Sequence, residues 1–557
     1  VSGAVLVLSL LASAAAPPAS VHPRQAAVDA LFAPFDRRDS PGVAVAVTQN
    51  GEVVLERCYG MADLEHGLPI TPDTTFDVAS LAKQFTGMSV AMLASTGRLD
   101  LDADVRQLLP DIVHGNVRVT PRQLLHHTSG IRDWVGLLPL VNRDPTEGLR
   151  FGEILDLTRG LRELDFEPDT EWHYSNTGYN LLAEIVSRTT GTPFPEWTAE
   201  HIFRPLGMDR ARFRQEPFEQ IPGLATSYFQ EEGKWRAAPD LASAYGPASL
   251  FLSIRDLARW ALNYEDGTVG GPEVLEQMQE QAVLKDGRQL NYAYGLGVGG
   301  WYGLRILNHG GDFSGFVSSW VTFPEEHLSV VLLANNREVD SFKVMEIADL
   351  FLPPRREAPA SEGPEEAPLA PDVLVGAWLL EPGRLLQIAR EKESWVARGT
   401  WREPEAVTPL GGRRFRLEDS GLVLELRDEA GEESKLFVGG RPAAPAEPWT
   451  PPGDELRAWT GLYLSPELSV CHRIELEDGT LVLRRPLGPA VSLRPTIRDQ
   501  LGGREWWAAA LDAERDENGR IAGFRLTNSK VRGVRFLRVA DSGVAHARAD
   551  LQPADGS

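Results

Sequence analysis

The stretch FDVASLAKQFTG, residues 76–87, sets Ser80 and Lys83 three positions apart. The pattern around them predicts a helix from Ala79 to Thr96, with Phe85, Met88 and Met92 on one side and Gly97 as its stop. Ser80 falls in the first turn, where unpaired backbone N–H groups and the helix dipole favour developing negative charge. Lys83 lies on the same face. A lysine held against an apolar helix loses solvation, its pKa falls, and the neutral amine can act as a base. Taken alone, the pair is either a polar helix start or a nucleophile with its base. Two further elements favour chemistry. Tyr174-Ser175-Asn176 stands before the apolar helix LLAEIVSRTTG, and His309-Gly310-Gly311 opens an apolar strand. Ser-x-x-Lys, Tyr-x-Asn and His-x-Gly each occur once in the chain, in that order.

Positioning these residues requires a mixed scaffold. VAVAVTQNGEVVLERCYG reads as a hairpin about Asn50-Gly51, and SSWVTFPEEHLSVVLLANN gives two more strands about Pro324-Glu325-Glu326. Between them lie helical runs such as SIRDLARWALNYEDG, opened by the capping pair Ser253 and Asp256. The economical arrangement over residues 28–351 is an α+β domain: an antiparallel sheet built from both ends of the segment and flanked by helices, with an all-helical region between.

Composition then changes. Pro, Ala and Glu dominate residues 352–371, a linker, and a second Pro-rich break covers 442–453. The modules they delimit, 372–441 and 454–540, resemble each other. Gly376-Ala377-Trp378 and Gly461-Leu462-Tyr463 are followed, after 51 and 54 positions, by RDEAGE from Arg427 and RDENGR from Arg515. Short alternating runs separated by Gly, Asp and Asn turns predict two small all-β barrel-like domains. Residues 541–557 read as a disordered tail.

A net charge of -23, from Lys+Arg 56 against Asp+Glu 79, repels polyanions, so nucleic acid is not an expected partner. Residues 1–20 read as a secretory signal peptide, with Ala12-Ser13-Ala14 as the cleavage site. Its apolar run falls short of the ~20 residues needed to span a bilayer, so the mature protein is expected to be secreted or periplasmic, with no integral membrane segment. Cys58 and Cys471 are the two cysteines, and sequence does not say whether they pair. No Cys/His cluster has ligand spacing, so neither metal nor cofactor is expected.

The three motifs, with TPRQLLHHTSGI and GFVSSWVTFPEEHLSVVLLANN, resemble the serine β-lactamase and penicillin-binding-protein superfamily, in the branch of class C β-lactamases, DD-carboxypeptidases, D-aminopeptidases and esterases. The resemblance implies a β-lactamase-like catalytic domain in which Ser80 is acylated and Lys83 is its proton partner. It makes Tyr174 a second general base that passes the proton to the leaving group, and sets Asn176 against the substrate's amide. His309, Gly310 and Gly311 would wall the substrate site, and the backbone N–H groups of Ser80 and Asp312 would form the oxyanion hole. It makes the HHTSG loop, with His126 and His127, structural. Class C β-lactamases carry Lys-Thr-Gly as third motif, and His309 replaces that lysine. With an ordinary pKa near ~6.5 it is expected to be mostly neutral at pH 7 and to gain charge near pH ~6, so efficient β-lactam hydrolysis is not expected. The function implied is a serine hydrolase acting through an acyl-enzyme on a small-molecule or peptide substrate: small amides, D-amino-acid peptides or esters. The alternatives are a β-lactamase or DD-carboxypeptidase, and a penicillin- or peptidoglycan-binding protein with slow deacylation. Some D-aminopeptidases of this branch carry two β-barrels, one of whose loops reaches the active site, and the paired β-modules resemble that arrangement.

Overall fold

The computed structural model describes residues 22–238, 241–353, 369–400, 403–427 and 434–539. The expected signal peptide and tail, and most of the linker between residues 352 and 371, lie outside them.

A six-stranded antiparallel sheet organises the first domain, in the order Gly297–Trp301, Leu304–Phe313, Phe316–Phe323, Leu328–Ala334, Val43–Gln49, Glu52–Tyr59. The hairpin turn has φ of 51° at Asn50 and 79° at Gly51, the left-handed pair that a two-residue turn requires. Pairing of Val43 with Ala334 closes the two ends of the segment onto each other. The Val43–Gln49 strand is buried on both faces, and its alternation explains why. Ala44 and Ala46 face the helices that carry the site, whereas Val43, Val45 and Val47 pack on the terminal helices Gln25–Phe32 and Lys343–Phe351. Small residues on the site side let helices approach closely, and β-branched ones fill the other. The Ile254–Asp266 helix starts at the expected capping box of Ser253 and Asp256 and stops at Gly267, φ 64°.

Two closed eight-stranded antiparallel barrels follow. Gly376 and Gly461 open the first strand of each, and Arg427 and Arg515 close the sixth, so the repeated markers occupy equivalent places. One boundary is corrected. The first barrel does not end at residue 441: its closing strand is Arg441–Pro445, which pairs with Lys435–Val438 on one side and Gly376–Glu381 on the other. The run of prolines read as a break, but Pro442 and Pro445 lack only their own N–H, and this short strand pairs over a few residues on each side.

The second barrel docks on the helical region of the first domain. Leu137, Leu140 and Leu161 join its apolar core beside Trp459, Tyr463 and Phe536. Gly160 faces the Glu467 carbonyl with no room for a side chain. Arg132, with a side chain 1% exposed, ties the two bodies together. It pairs with Asp165 at 3.1 Å and with Glu467 of the barrel, and it donates to the Arg532 and Gly533 carbonyls at 3.2 and 3.3 Å. The first barrel rests on the second, with Gly383 N–H donating to Gln500 Oε1 at 3.1 Å. Cys58 lies in the sheet and Cys471 in the second barrel, both unpaired and half-buried. No helix among the described residues is long and apolar enough to cross a membrane.

Candidate active site

The expected helix is present with a modified start. Ala79–Ala82 is a 3-10 turn, Lys83–Ser95 is α-helical, and Thr96 caps it before Gly97. Ala79 has φ 47°, an unfavourable left-handed conformation for a residue with a Cβ, fixed because its N–H donates to Asp77 Oδ1 at 2.7 Å. The strained turn sets Ser80 at the head of the helix. Ser318, on the neighbouring strand, donates its hydroxyl to the Val78 carbonyl at 2.7 Å. Gly311 packs into the same contact: a Cβ there would lie 2.6 Å from Ser318 Oγ and 2.9 Å from Ser80 N, and closer still to the Val78 carbonyl. The strand bearing the third motif therefore approaches the Ser80 backbone as only glycine allows.

Lys83 is fully buried, and its Nζ lies 3.1 Å from Ser80 Oγ, 2.8 Å from Asn176 Oδ1 and 3.1 Å from the Pro247 carbonyl. Burial drives its pKa well below the usual lysine value, opposed by Asp133 and reinforced by Lys530. A neutral amine has two N–H donors and one lone pair. In that neutral form the two carbonyl oxygens accept both donors and the lone pair is left for the Ser80 hydroxyl, whereas the ammonium form donates to Ser80 Oγ.

Asn176 bridges Lys83 and Asp133. Its Oδ1 accepts from Lys83 and its Nδ2 donates to Asp133 Oδ2 at 3.0 Å, so both ends of the amide are engaged within the protein, and its structural place is to orient Lys83. Asp133, fully buried, caps the Trp134–Leu137 helix. Tyr174 lines the same cavity as Ser80, and its ring lies 4.6 Å from Lys83 Nζ. Burial pushes the phenol above its ordinary value, so at neutral pH it holds its proton. A protonated phenol beside Ser80 and Lys83 fits the leaving-group half of the role the resemblance implied.

His309 departs from expectation only in its response to acid. Its Nδ1 lies 2.7 Å from the Gly310 carbonyl and its Nε2 3.0 Å from the Tyr292 hydroxyl. The arrangement fits a neutral ring that donates from Nδ1 and accepts Tyr292 O–H at Nε2. Burial, then Lys83, lowers its pKa to about 3, so falling from pH 7 to 6 leaves it uncharged. Gly310, Gly311, Asp312, Tyr174 and Ser80 line one cavity of about 560 Å³ with Arg337, whose Nε donates to Asp312 Oδ1 at 2.8 Å. A second hollow of about 460 Å³ opens beyond His309, walled by Trp172, Leu290 and Tyr292.

Sequence reasoning missed Asp133, Pro247 and Lys530, and gave the HHTSG loop only a general structural place. His127, in the HHTSG loop, is buried with φ 60°. Its Nδ1 accepts from Ser175 N–H at 3.1 Å, and its ring packs at a tilt of 36° with its centre 4.3 Å from that of Tyr174, so the loop fixes the second motif. His173 faces the Ser529 carbonyl of the second barrel at 3.3 Å. Lys530, on that same barrel loop, has its Nζ 5.6 Å from the Tyr174 ring centre. Asp133 could have been noticed as a helix cap, but no local signal pairs it with Asn176.

The Beta-lactamase family model matches residues 28–351. A D-aminopeptidase of Gluconobacter oxydans (strain 621H) is 29% identical over 465 residues, covering 82% of this chain and 85% of its own. A D-aminopeptidase of Cereibacter sphaeroides (strain ATCC 17029 / ATH 2.4.9) is 26% identical over 532 residues, covering 90% and 96%. Among solved structures, the octameric penicillin-binding protein homologue from Pyrococcus abyssi superposes with a TM-score of 0.54 at 20% identity, over 83% of this chain and 97% of that one, a likeness of fold. The sheet, the Ser80 turn and the Gly311 strand thus fall inside one continuous family match, and the chain belongs to the β-lactamase family, as a serine hydrolase.

Proposed function

We propose that the protein hydrolyses small D-amino-acid amides and peptides through an acyl-enzyme on Ser80. The observation that carries this reading is the buried Lys83 amine, whose two N–H groups are matched by the Asn176 and Pro247 carbonyls while Ser80 Oγ lies 3.1 Å away. In acylation the Ser80 proton passes to Lys83 Nζ as Oγ bonds to the substrate carbonyl carbon. The carbonyl oxygen becomes an oxyanion held by the Ser80 and Asp312 N–H groups, donors worth about 2.7–4 kcal/mol each. The C–N bond then breaks, Tyr174 gives its proton to the departing nitrogen, and the Lys83 ammonium returns a proton to Tyr174. Water enters the vacated side, loses its proton to the same relay, and releases the acid from Ser80. The names of the relatives, D-aminopeptidases, support D-amino-acid substrates. The apolar N-terminal segment supports export from the cytoplasm.

The test is a panel of D- and L-amino-acid amides and p-nitroanilides with wild type and Ser80→Ala. The reading expects turnover of D substrates, little of L, and none in the variant. Turnover by Ser80→Ala at the wild-type rate overturns it.

A further inference from the structure

Among the described residues, one cation beside the cleft has no hydrogen-bonded or ion-paired partner. Burial disfavours the charged form of Lys83, and it does the same for His127 and His309. Arg337, on the wall of the Ser80 cavity, is paired with Asp312, and Asp340 adjoins it. Beside Tyr174, another residue of that cavity's wall, stands Lys530. Its ammonium makes no hydrogen bond or ion pair among the described residues, yet it is half-buried and lies against Tyr174. Nearby carboxylates are already engaged: Asp133 by Asn176 and the Val135 N–H, Glu171 by Arg532, and Asp165 by Arg132 and the Arg532 N–H.

The position of Lys530 is built, not incidental. Asn528 Oδ1 accepts the N–H groups of Lys530 and Val531 at 2.8 and 3.0 Å, and its Nδ2 donates to the Gly136 carbonyl of the catalytic domain at 3.0 Å. A Cβ on Gly136 would come within 2.7 Å of Lys530 Cβ, so glycine there admits the loop. On the other flank Arg532 N–H donates to Asp165 at 2.9 Å and the Arg532 guanidinium to Glu171 at 2.7 Å. The residue is anchored from both sides, with its ammonium over the ring of Tyr174, the residue that the proposed reaction uses as proton donor.

We infer that Lys530 binds a carboxylate on the leaving group, so that the substrates are short peptides whose residue after the scissile bond carries a free C-terminal carboxylate. This deepens the acyl-enzyme reading and rests on it. The leaving-group side is chosen because Lys530 lies beside Tyr174, the group that protonates the departing nitrogen. A lysine ammonium is a compact charge with three donors, suited to a carboxylate whose exact orientation varies. In a chain of net charge -23, an anionic substrate needs such a local attraction. The site thereby gains from the second barrel the cation that its third motif lacks.

The experiment compares kcat/KM for D-alanyl-glycine and D-alanyl-glycinamide, which differ by carboxylate against neutral amide, in the full-length wild type, Lys530→Met, Lys530→Arg and Lys530→Glu. Wild type should favour the carboxylate. The Met variant should lower the ratio about tenfold, as expected for losing a charge-assisted hydrogen bond. Arginine should retain most of the preference and Glu should reverse it. Because the readout is a ratio within each variant, a general loss of stability cancels. Labelling of Ser80 by a neutral fluorophosphonate is read in parallel. Normal labelling with the same ratio in wild type, Met and Glu variants overturns this inference alone, whereas absence of Ser80 labelling in wild type overturns the nucleophile reading and this one with it.

Discussion

Replacing Gly311 by alanine adds one methyl group at the narrowest contact in the site. The new carbon would lie 2.6 Å from Ser318 Oγ, 2.9 Å from Ser80 N, and closer than either to the Val78 carbonyl. A hydroxyl can rotate away, but a carbonyl at the start of the Ser80 turn cannot, because Val78 N–H is held by the Leu250 carbonyl at 3.0 Å and the next residue by Asp77. The strand must retreat from the turn by on the order of 1 Å, a displacement that costs about 10²-fold in rate when it separates reacting groups. The methyl also crowds the Ser80 N–H, and one lost oxyanion donor costs about 10²–10³ in kcat. Both routes predict a kcat reduced by at least about 100-fold. The melting temperature should fall modestly, since overpacking costs about 1–3 kcal/mol. Gly310→Ala is the internal control: its Cβ would meet only the Ser318 carbonyl, at 3.4 Å, so the loss should be far smaller. The assay is steady-state hydrolysis of a D-amino-acid p-nitroanilide with parallel thermal melts. Equal kcat in Gly311→Ala and wild type, or equal losses in both glycine variants, would refute the reasoning.

Lys83→Met should lower kcat by about 10²–10⁴ and yet raise the melting temperature at pH 7. The folded-state pKa of Lys83 lies below its unfolded value, so the unfolded chain binds more protons and stability rises with pH between the two values; methionine removes that penalty. In wild type kcat/KM should rise with pH as Lys83 loses its proton, and no protonation of His309 should intervene near pH 6, which a pH–rate profile with a neutral ester will read. Tyr174→Phe should slow amides far more than p-nitrophenyl esters, whose leaving group needs no proton; equal losses would argue against proton donation. Arg132→Leu leaves Asp165 and Glu467 without their buried counter-charge, at a cost of about 3–5 kcal/mol, and should loosen the second barrel in hydrogen exchange.

What could be read from sequence was what local rules encode. Asn50-Gly51 announces its turn, Ser253 and Asp256 announce their helix, and Ser80 and Lys83 meet because they are one helical turn apart. The order of the three motifs carried the family and hence the sheet. The remainder is tertiary. Asp133, Pro247 and His127 act on Lys83 and on the second motif from positions fixed only by packing, and Lys530 arrives from a barrel loop hundreds of positions away. Such contacts leave no periodicity or spacing to find. The pKa of His309 changed for the same reason: its ring chemistry is ordinary, and the burial that suppresses its charge comes from the fold. The Arg441–Pro445 strand was hidden because proline argues against a strand locally, while barrel closure requires one.

The central claim is that Ser80 becomes acylated by substrate. It is tested most directly by mixing the protein with a D-amino-acid ester, quenching with acid within the first turnovers, and locating the adduct by peptide mass spectrometry. The account predicts the mass of the acyl group on the peptide containing Ser80, accumulating further in a variant that deacylates slowly and missing in Ser80→Ala. Steady turnover with no adduct at any quench time, or an adduct on another residue that persists in Ser80→Ala, would contradict it.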